Sequence, residues 1–264
     1  MRVLVTNDDG VTTPGLAALT RAAVAAEFDV VVAAPRHDQS GAGAAIAPAA
    51  AAEGVGVTPV EVDGAAGVPA HAVDGPPALA VLTARLGGLG EPPELVASGV
   101  NNGPNTGFAV LHSGTVGAAL TAANFGARGL AVSIDSGVPR HLETAEAVAR
   151  AALVWLAGAP PRTVLNVNVP DRAVGDLAGV LVAALGSFGQ VQATVDDIGG
   201  GRLSISMSAN GAAPEPGTDT ALLAAGFVTV TSLVGISAVD EGDLRGPNAA
   251  AASGSIEKAL SGIA

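Results

Sequence analysis

The N-terminal segment 2–15 constrains the fold of this chain more than any other stretch. Residues 3–5 are apolar and predict a short buried strand, and the carboxylates Asp8 and Asp9 stand close behind it. Thr13 and Pro14 then occupy positions typical of the cap and the first turn of a helix. The pattern predicts a strand whose carboxyl end delivers both carboxylates into a crevice, with a helix behind it. In open parallel sheets that crevice is where ligands bind.

Asp8 and Asp9 are adjacent, and two neighbouring carboxylates repel each other. Keeping both ionised near the edge of a sheet is costly unless a cation lies between them. Oxygen ligands of this kind favour Mg²⁺, Mn²⁺ or Ca²⁺ over zinc. The alternative is that the two side chains solvate a turn and cap the helix. The segment alone leaves both interpretations open.

A strand–helix–strand unit follows from the next residues. Residues 14–26 predict a helix, and 28–33 form a continuous run rich in valine, which predicts a second buried strand. Such a unit is right-handed, so the loops after its two strands emerge at the same edge of the sheet. The second loop contains Ser40 and a Gly-Ala-Gly sequence, but Ile46 stands where a dinucleotide-binding loop has a third small residue. A Rossmann dinucleotide site is therefore not expected.

A third polar loop follows a predicted strand at 95–100. It contains Asn101 and Asn105, and a Ser-Gly-Thr sequence at 113–115 then opens an Ala-rich helix. Free backbone N–H groups and the helix dipole make such a start a natural seat for an anion, although ordinary capping by the serine or the threonine explains the same residues. His112 is either a phosphate donor or general acid, or a surface residue that flanks the helix.

The remaining segments complete an α/β pattern. The other predicted strands are 55–57, 60–62, 71–73, 129–134, 164–170 and 227–233, and the other predicted helices are 78–86, 143–156 (with Trp155 as a packing residue), 218–225 and 256–260. Residues 180–209 alternate without an intervening helix, which predicts an antiparallel β arm, and exposed arms commonly serve oligomerisation. We expect one domain over residues 1–264: a Rossmann-like, mostly parallel sheet flanked by helices, with the β arm at 180–209 used in oligomerisation.

Composition excludes several classes of function. The net charge is −12, with only 12 lysines and arginines and no basic run, which argues against a duplex nucleic acid as partner. No apolar run approaches the roughly 18–20 residues needed to cross a bilayer, and the N-terminus does not resemble a signal peptide. Without cysteine the chain has no disulfide, thiolate nucleophile or zinc–thiolate site. We expect a cytoplasmic protein without a membrane partner.

The three polar loops share one edge if the sheet is parallel. Together they offer the carboxylates of Asp8 and Asp9, the hydroxyl of Ser40 and the amide oxygen of Asn101. With waters, these oxygens make an octahedral shell for Mg²⁺ or Mn²⁺. The helix start at 113–115 would hold a phosphate against this ion. Such a site suits hydrolysis of a phosphoester, in which the ion polarises a phosphoryl oxygen and lowers the pKa of the attacking water.

Several short motifs stand in order along about residues 1–235. They are Thr6-Asn7-Asp8-Asp9-Gly10 with Pro14-Gly15, Gln39-Ser40-Gly41, Ser98-Gly99-Val100-Asn101 with Gly103 and Asn105, Ser113-Gly114-Thr115-Val116, Leu165-Asn166-Val167-Asn168-Val169-Pro170, Thr218-Asp219-Thr220-Ala221 and Gly226-Phe227-Val228-Thr229-Val230-Thr231. This set resembles the SurE family, the survival-protein family of 5′/3′-nucleotidases.

The resemblance implies a Rossmann-like α/β fold, one divalent metal ion, and dephosphorylation of nucleoside monophosphates. It also implies dimers or tetramers built partly by an exchanged C-terminal arm. The family's metal ligands match Asp8, Asp9, Ser40 and Asn101, and of these Asp8, Asp9 and Asn101 are the expected catalytic residues. Its phosphate-pocket positions match Asn105, Ser113, Gly114 and Thr115, and His112 stands beside them.

The chain departs from this family's pattern around the pocket. Asp38 stands where asparagine is usual, Ala109 where aspartate is usual and His112 where tyrosine is usual, and Leu79 and Ala184 also differ. Because the metal ligands match, we expect a metal-dependent phosphomonoesterase that acts on nucleoside monophosphates. The changed pocket leaves two alternatives open: the same chemistry on another small phosphorylated metabolite, such as a sugar phosphate, or a non-catalytic protein that binds a metal or a nucleotide.

Overall fold

The computed structural model describes residues 1–47, 54–187, 191–209 and 213–236. Its helices and strands follow one another as β1 (Arg2–Thr6), α1 (Pro14–Ala25), β2 (Asp29–Pro35), β3 (Val57–Pro59), β4 (Ala70–Val73), α2 (Pro77–Arg85), β5 (Leu95–Asn102), α3 (Gly114–Asn124), β6 (Arg128–Ile134), α4 (Leu142–Ala157), β7 (Val164–Val169), β8 (Val180–Val182), β9 (Val191–Gly199), β10 (Arg202–Ala209), α5 (Asp219–Ala224) and β11 (Val228–Leu233). Short 3₁₀ helices lie at Gly107–His112 and Val174–Asp176.

Within the described residues, nine strands form one mixed sheet in the order β3-β4-β2-β1-β5-β6-β7-β11-β8. The strands from β4 to β7 in this order run parallel to one another, whereas β3 is antiparallel to β4 and β11 is antiparallel to β7. The predicted Rossmann-like, mostly parallel α/β fold is confirmed. Because β2, β1 and β5 are parallel neighbours, the loops that follow them leave the sheet at one edge, which we call the carboxyl edge.

Helices bury both faces of the parallel strands, which is why these strands are continuously apolar instead of alternating. On one face α1 and α4 pack over the sheet, and Val5 and Leu16 belong to that apolar cluster. On the other face α2 and α3 cover a second cluster that includes Leu4 and Ala118. Much of this second layer is alanine, so α3 lies close to the backbone beneath it.

The predicted antiparallel arm is confirmed for β9 and β10, which form a separate two-stranded sheet. The prediction is wrong for the first residues assigned to the arm. Val180–Val182 form β8, which pairs in parallel with β11 and is the last strand of the main sheet. Alternating apolar residues show that a segment is extended but not which strand it pairs with. The two kinds of strand therefore look alike in sequence.

Two smaller predictions are also wrong. Residues 60–62 lie in a loop between β3 and β4 and not in a strand. Trp155 is not a core residue: it is 60% exposed on α4, at the rim of an apolar groove that α4 forms with β7, β8 and β11. The predicted helix at 256–260 lies outside the described residues. No helix within the described ranges is long and apolar enough to cross a membrane.

Candidate active site

The turn after β1 is built by Asn7, which is fully buried. Its Nδ2 group donates to the carbonyl oxygen of Gly10 (3.0 Å) and to Oγ1 of Thr13 (2.8 Å), and its Oδ1 accepts the Gly10 N–H (3.2 Å). Thr13 stands at the N-cap of α1, as predicted, but its hydroxyl donates to the Gly10 carbonyl instead of capping the helix. Asn7 therefore closes the turn that presents Asp8 and Asp9.

Asp8 lies inside the carboxyl edge, with 3% of its surface exposed. The Thr115 N–H donates to its Oδ2 (3.1 Å), and the Thr115 hydroxyl donates to its Oδ1. The helix comes this close because residue 114 is glycine: a Cβ on Gly114 would lie 2.7 Å from Oδ2 and 2.8 Å from Cβ of Asp8. Burial raises the pKa of Asp8 although the bonds from Thr115 oppose it, and the nearby charge of Asp38 raises it further.

Asp9 is half-buried beside Asp8. Burial, and then the charge of Asp8, raise the pKa of Asp9 to about 6, against the opposing effect of the Asn102 N–H. The Oδ2 atom of Asp9 is buried and has no hydrogen-bond partner among the described residues. A buried carboxylate oxygen without a partner pays the full cost of desolvation. This oxygen therefore needs a donor or a cation that the described residues do not supply.

The loop after β2 meets the Asp8 turn through its backbone. The Gln39 N–H donates to the Asp8 carbonyl oxygen (2.8 Å), and Ser40 is the next residue. Ser40 is exposed, and its N–H and its hydroxyl both donate to Oδ1 of Asp38 (2.7 and 2.6 Å). These two bonds lower the pKa of Asp38. The backbone next to Ser40 thus contacts the Asp8 turn, and the Ser40 hydroxyl is bonded to a third carboxylate, that of Asp38.

The first turn of α3 contains the predicted phosphate-binding residues Ser113, Gly114 and Thr115. Ser113 is the N-cap, and its Oγ accepts the Val116 N–H (3.1 Å), which is the ordinary capping bond. The Thr115 N–H is bonded to Asp8. Of the first three N–H groups of this helix, the one on Gly114 has no partner among the described residues. An anion at this end of α3 would therefore depend mainly on Gly114.

Asn101 and Asn105 lie on the third loop with different surroundings. The Asn101 Nδ2 group donates to the Gly103 carbonyl (2.7 Å), so its amide nitrogen is engaged within the loop. Asn105 is bonded to the ends of β6 and β7: its N–H donates to Oδ1 of Asn168 (2.7 Å) and its Nδ2 group to Oγ of Ser133 (2.8 Å). Its carbonyl oxygen accepts N–H groups from two asparagines of β7 (2.8 and 3.0 Å). The backbone N–H, the backbone carbonyl and the Nδ2 group of Asn105 are therefore all hydrogen-bonded to β6 or β7.

The oxygen atoms at this edge match the preferences of a hard divalent cation. The predicted donors are two carboxylates, a hydroxyl and an amide: Asp8, Asp9, Ser40 and Asn101. In the part of the chain that the structure describes, no group of three or more histidine, cysteine, aspartate or glutamate side chains is placed to hold a metal ion. An ion at this edge would thus be held by the carboxylate pair with neutral oxygens and waters.

Comparison with known proteins decides the family. Residues 3–191 match the family model described as Survival protein SurE. The chain belongs to the SurE family. It is 35% identical over 244 residues to the 5′-nucleotidase SurE of Pseudomonas entomophila (strain L48), which covers 88% of this chain and 92% of the relative. It is 38% identical over 249 residues to the 5′-nucleotidase SurE of Nitratidesulfovibrio vulgaris (strain DP4), with coverage of 88% and 93%.

A solved SurE structure supports the same assignment. The crystal structure of the SurE protein from Aquifex aeolicus matches this fold with a TM-score of 0.74 at 27% sequence identity, over 98% of this chain and 100% of that chain. The family predicted from the sequence motifs is therefore confirmed.

The positions at which this chain departs from the SurE pattern differ in their exposure. Leu79 is buried in α2 with 1% exposure, so it packs in the interior and is not accessible to a ligand. Ala184 makes a backbone bridge to Thr218. Ala109 and His112 lie exposed on the 3₁₀ helix that leads into Ser113, and Ala184 and Asp38 are exposed as well.

Asp219 is a residue of this SurE chain to which the sequence analysis gave no role. It is fully buried, and its Oδ2 accepts the Gly107 N–H (2.9 Å) while its Oδ1 accepts the N–H groups of Gly186 (3.0 Å) and Thr220 (2.8 Å). This carboxylate therefore joins the start of the 3₁₀ helix before α3 to the loop after β8. The sequence shows an acidic residue in the first turn of a helix, which ordinarily indicates capping alone.

Proposed function

We propose that the chain is a divalent-metal-dependent phosphomonoesterase that hydrolyses nucleoside 5′- and 3′-monophosphates. The observation that carries the proposal is the buried, unpartnered Oδ2 of Asp9 beside the carboxylate of Asp8, at the carboxyl edge of a parallel sheet. Family membership supports the reaction, because relatives at 35–38% identity are named 5′-nucleotidase SurE.

We infer that one Mg²⁺ or Mn²⁺ ion is held by Asp8, Asp9, Ser40 and Asn101. A cation relieves the repulsion between the two adjacent carboxylates and satisfies the free oxygen of Asp9. The hydroxyl proton of Ser40 and the amide N–H of Asn101 are donated elsewhere, to Asp38 and Gly103. The oxygen atoms of Ser40 and Asn101 therefore keep lone pairs for an ion.

The bound ion would supply positive charge to a phosphoryl oxygen and lower the pKa of the attacking water. The residues of the chain contribute to the reaction by holding the metal ligands and the phosphate in place. Thr115 holds both oxygens of Asp8, and Ser113 fixes the first turn of α3 so that the Gly114 N–H is available to a phosphate oxygen. We assign His112, exposed beside Ser113, as the general acid. It protonates the leaving oxygen as the ester P–O bond breaks, while water forms the new P–O bond and loses a proton to solvent.

Phosphate release is expected to depend on a divalent cation. We expect p-nitrophenyl phosphate and nucleoside monophosphates to be hydrolysed with Mg²⁺ or Mn²⁺, and hydrolysis to fall to background with EDTA and return when metal is added back. Parallel assays of inorganic phosphate with EDTA, Mg²⁺ and Mn²⁺ make this measurement. A folded protein that releases no phosphate with either metal would contradict the proposal and favour a non-catalytic metal- or nucleotide-binding role.

A second candidate keeps the chemistry and changes the substrate to another small phosphorylated metabolite, such as a sugar phosphate. The observation that favours it is the exposure of Ala109 and His112 next to Ser113, since both differ from the SurE pattern. A panel of phosphate esters at equal concentration separates the two candidates. A clear preference for nucleotides in kcat/KM would exclude the sugar phosphate.

We also propose that the chain forms a homodimer or homotetramer through the β9–β10 arm. One face of the arm carries the exposed apolar residues Val195, Leu203 and Ile205, with Asp197 opposite Leu203 near the turn. The other face is mainly polar and includes Thr194, Asp196 and Ser204. An exposed apolar face of this kind marks a surface that binds another protein.

Ile205→Glu is expected to shift the oligomer to a lower mass. A carboxylate that must be desolvated in an interface weakens association by about 10²-fold or more. Size-exclusion chromatography with light scattering over a range of concentrations makes the measurement. Ser204→Glu, on the opposite face of the same strand, is the matched control and should keep the wild-type mass. A monomeric wild type, or equal masses for wild type and Ile205→Glu, would contradict the proposal.

A further inference from the structure

The Ser40 hydroxyl is bonded to a carboxylate. Its Oγ donates to Oδ1 of Asp38 (2.6 Å), and the same Oδ1 accepts the Ser40 N–H (2.7 Å). Hydrogen bonds to an ionised acceptor are shorter and stronger than those between neutral groups. The hydroxyl proton is therefore fixed on the Asp38 side, and the lone pairs of Ser40 Oγ remain available to a cation.

Asp38 lies close to the carboxylate pair without joining it. The Gln39 N–H, between Asp38 and Ser40 in sequence, is bonded to the Asp8 carbonyl oxygen (2.8 Å). Yet the described residues contain no group of three acidic side chains placed to hold one ion together. The charge of Asp38 thus acts on Asp8 and Asp9, while the described side chains do not place it with them in a three-carboxylate cluster.

We propose that Asp38 is a positioning residue of the ion site, which orients the Ser40 hydroxyl and adds negative charge that strengthens the binding of a divalent cation. The inference rests on the proposed function, because it takes Ser40 as a ligand of the ion. Asp38 then makes two separable contributions. Asparagine at position 38 keeps an acceptor for the hydroxyl and loses the charge, whereas alanine loses both.

The two contributions predict a graded loss of affinity. Asp38 is exposed, so its charge is screened, and we expect Asp38→Asn to raise the dissociation constant for Mn²⁺ by roughly three- to tenfold at low salt. This difference should shrink at high salt. Asp38→Ala is expected to weaken binding further, because the Ser40 hydroxyl is then free to point its proton toward the ion.

The experiment measures Mn²⁺ binding to the substrate-free protein from the electron paramagnetic resonance signal of free Mn²⁺. The proteins are the wild type, Asp38→Asn, Asp38→Ala, Ser40→Ala and the double variant Asp38→Ala/Ser40→Ala. If Asp38 acts through Ser40, its replacement by alanine costs less affinity in the Ser40→Ala background than in the wild type. Circular dichroism verifies that each variant is folded.

Asp29→Asn is the matched control. It makes the same charge change, but Asp29 begins β2 whereas Asp38 lies in the loop after β2, so the two are separated by about 20 Å of strand. That distance exceeds the Debye length of about 10 Å at 0.1 M salt, so the control is compared with the wild type at that ionic strength. We expect the Mn²⁺ affinity of this variant to equal that of the wild type.

The outcomes separate this inference from the proposed function. Equal Mn²⁺ affinities in the wild type and both Asp38 variants would overturn the inference and leave the function standing. Additive effects of Asp38→Ala and Ser40→Ala would overturn the positioning role. A folded wild type that binds no Mn²⁺ would overturn the inference and the proposed function together.

Discussion

Asparagine in place of Asp8 is expected to reduce phosphate release by about 10³-fold or more. Asp8→Asn preserves the size of the side chain and an oxygen that can accept the Thr115 N–H, but it removes one of the two charges proposed to hold the ion. An ion contributes several kcal/mol to such a transition state, and each 1.36 kcal/mol is a factor of ten. The measurement is kcat/KM for a nucleoside monophosphate at saturating Mn²⁺.

The loss of activity should come without a loss of stability. Burial raises the pKa of Asp8, so at neutral pH the ionised carboxylate opposes folding when no cation is bound. We expect Asp8→Asn to unfold in EDTA at the same temperature as the wild type or at a higher one.

Asp171→Asn is the control for the loss of activity, at the same edge of the sheet. It replaces a carboxylate that accepts the N–H groups of Arg140 and His141 in the loop after β6. The Asp171→Asn variant should retain near wild-type turnover. Near wild-type turnover by Asp8→Asn would contradict the assignment of Asp8 to the active site.

A single methyl group at residue 114 is expected to disturb both stability and activity. A Cβ there would stand 2.7 Å from Oδ2 and 3.1 Å from Cγ of Asp8, which is buried and bonded to Thr115. Alanine has the better helix propensity, but the helix or the carboxylate must move to admit it. We expect Gly114→Ala to lower the free energy of unfolding by about 1–3 kcal/mol. A shift of reacting groups on the order of 1 Å also costs about 10²-fold in rate.

Gly137→Ala is the matched control for this variant. Gly137 has no atom within 4 Å of the position of a Cβ, so the same substitution meets no obstacle there. Urea unfolding gives the stability of both variants, and kcat/KM gives their activity. If Gly114→Ala and Gly137→Ala have the same free energy of unfolding and the same kcat/KM, the close contact between α3 and Asp8 does not determine the stability or the activity of the protein.

The sequence was sufficient for the fold because its strong signals are local. Continuous valine-rich runs alternate with helical segments, which predicts a parallel sheet with helices on both faces, and the order of strands β2, β1 and β5 then brings three polar loops to one edge. The signals that failed concern partners. The sequence of an extended segment does not show whether it pairs with β11 or with another segment of the arm. Likewise, the periodicity of α4 does not show that the side chain of Trp155 is exposed.

The candidate site was predictable to the level of its backbone and not to that of its side-chain bonds. The positions of Asp8, Asp9 and Ser40 at one edge follow from topology. That Thr115 is bonded to Asp8, or that Asn105 is bonded to Ser133, depends on rotamers and on distances between elements that are far apart in sequence. Asp219 is a second example, since two of its N–H partners, Gly107 and Gly186, come from segments far from it in sequence.

The contact between α3 and the Asp8 turn also bears on how such a protein can diversify. Its geometry is set by a missing Cβ at Gly114 and by two bonds from Thr115, so almost any exchange there is penalised. The neighbouring 3₁₀ helix has the opposite property at Ala109, which is exposed, so its exchange disturbs no buried contact. If the proposed function holds, evolution can keep Asp8, Thr115 and His112 constant while exchanges at exposed positions such as Ala109 change which phosphate ester the site accepts.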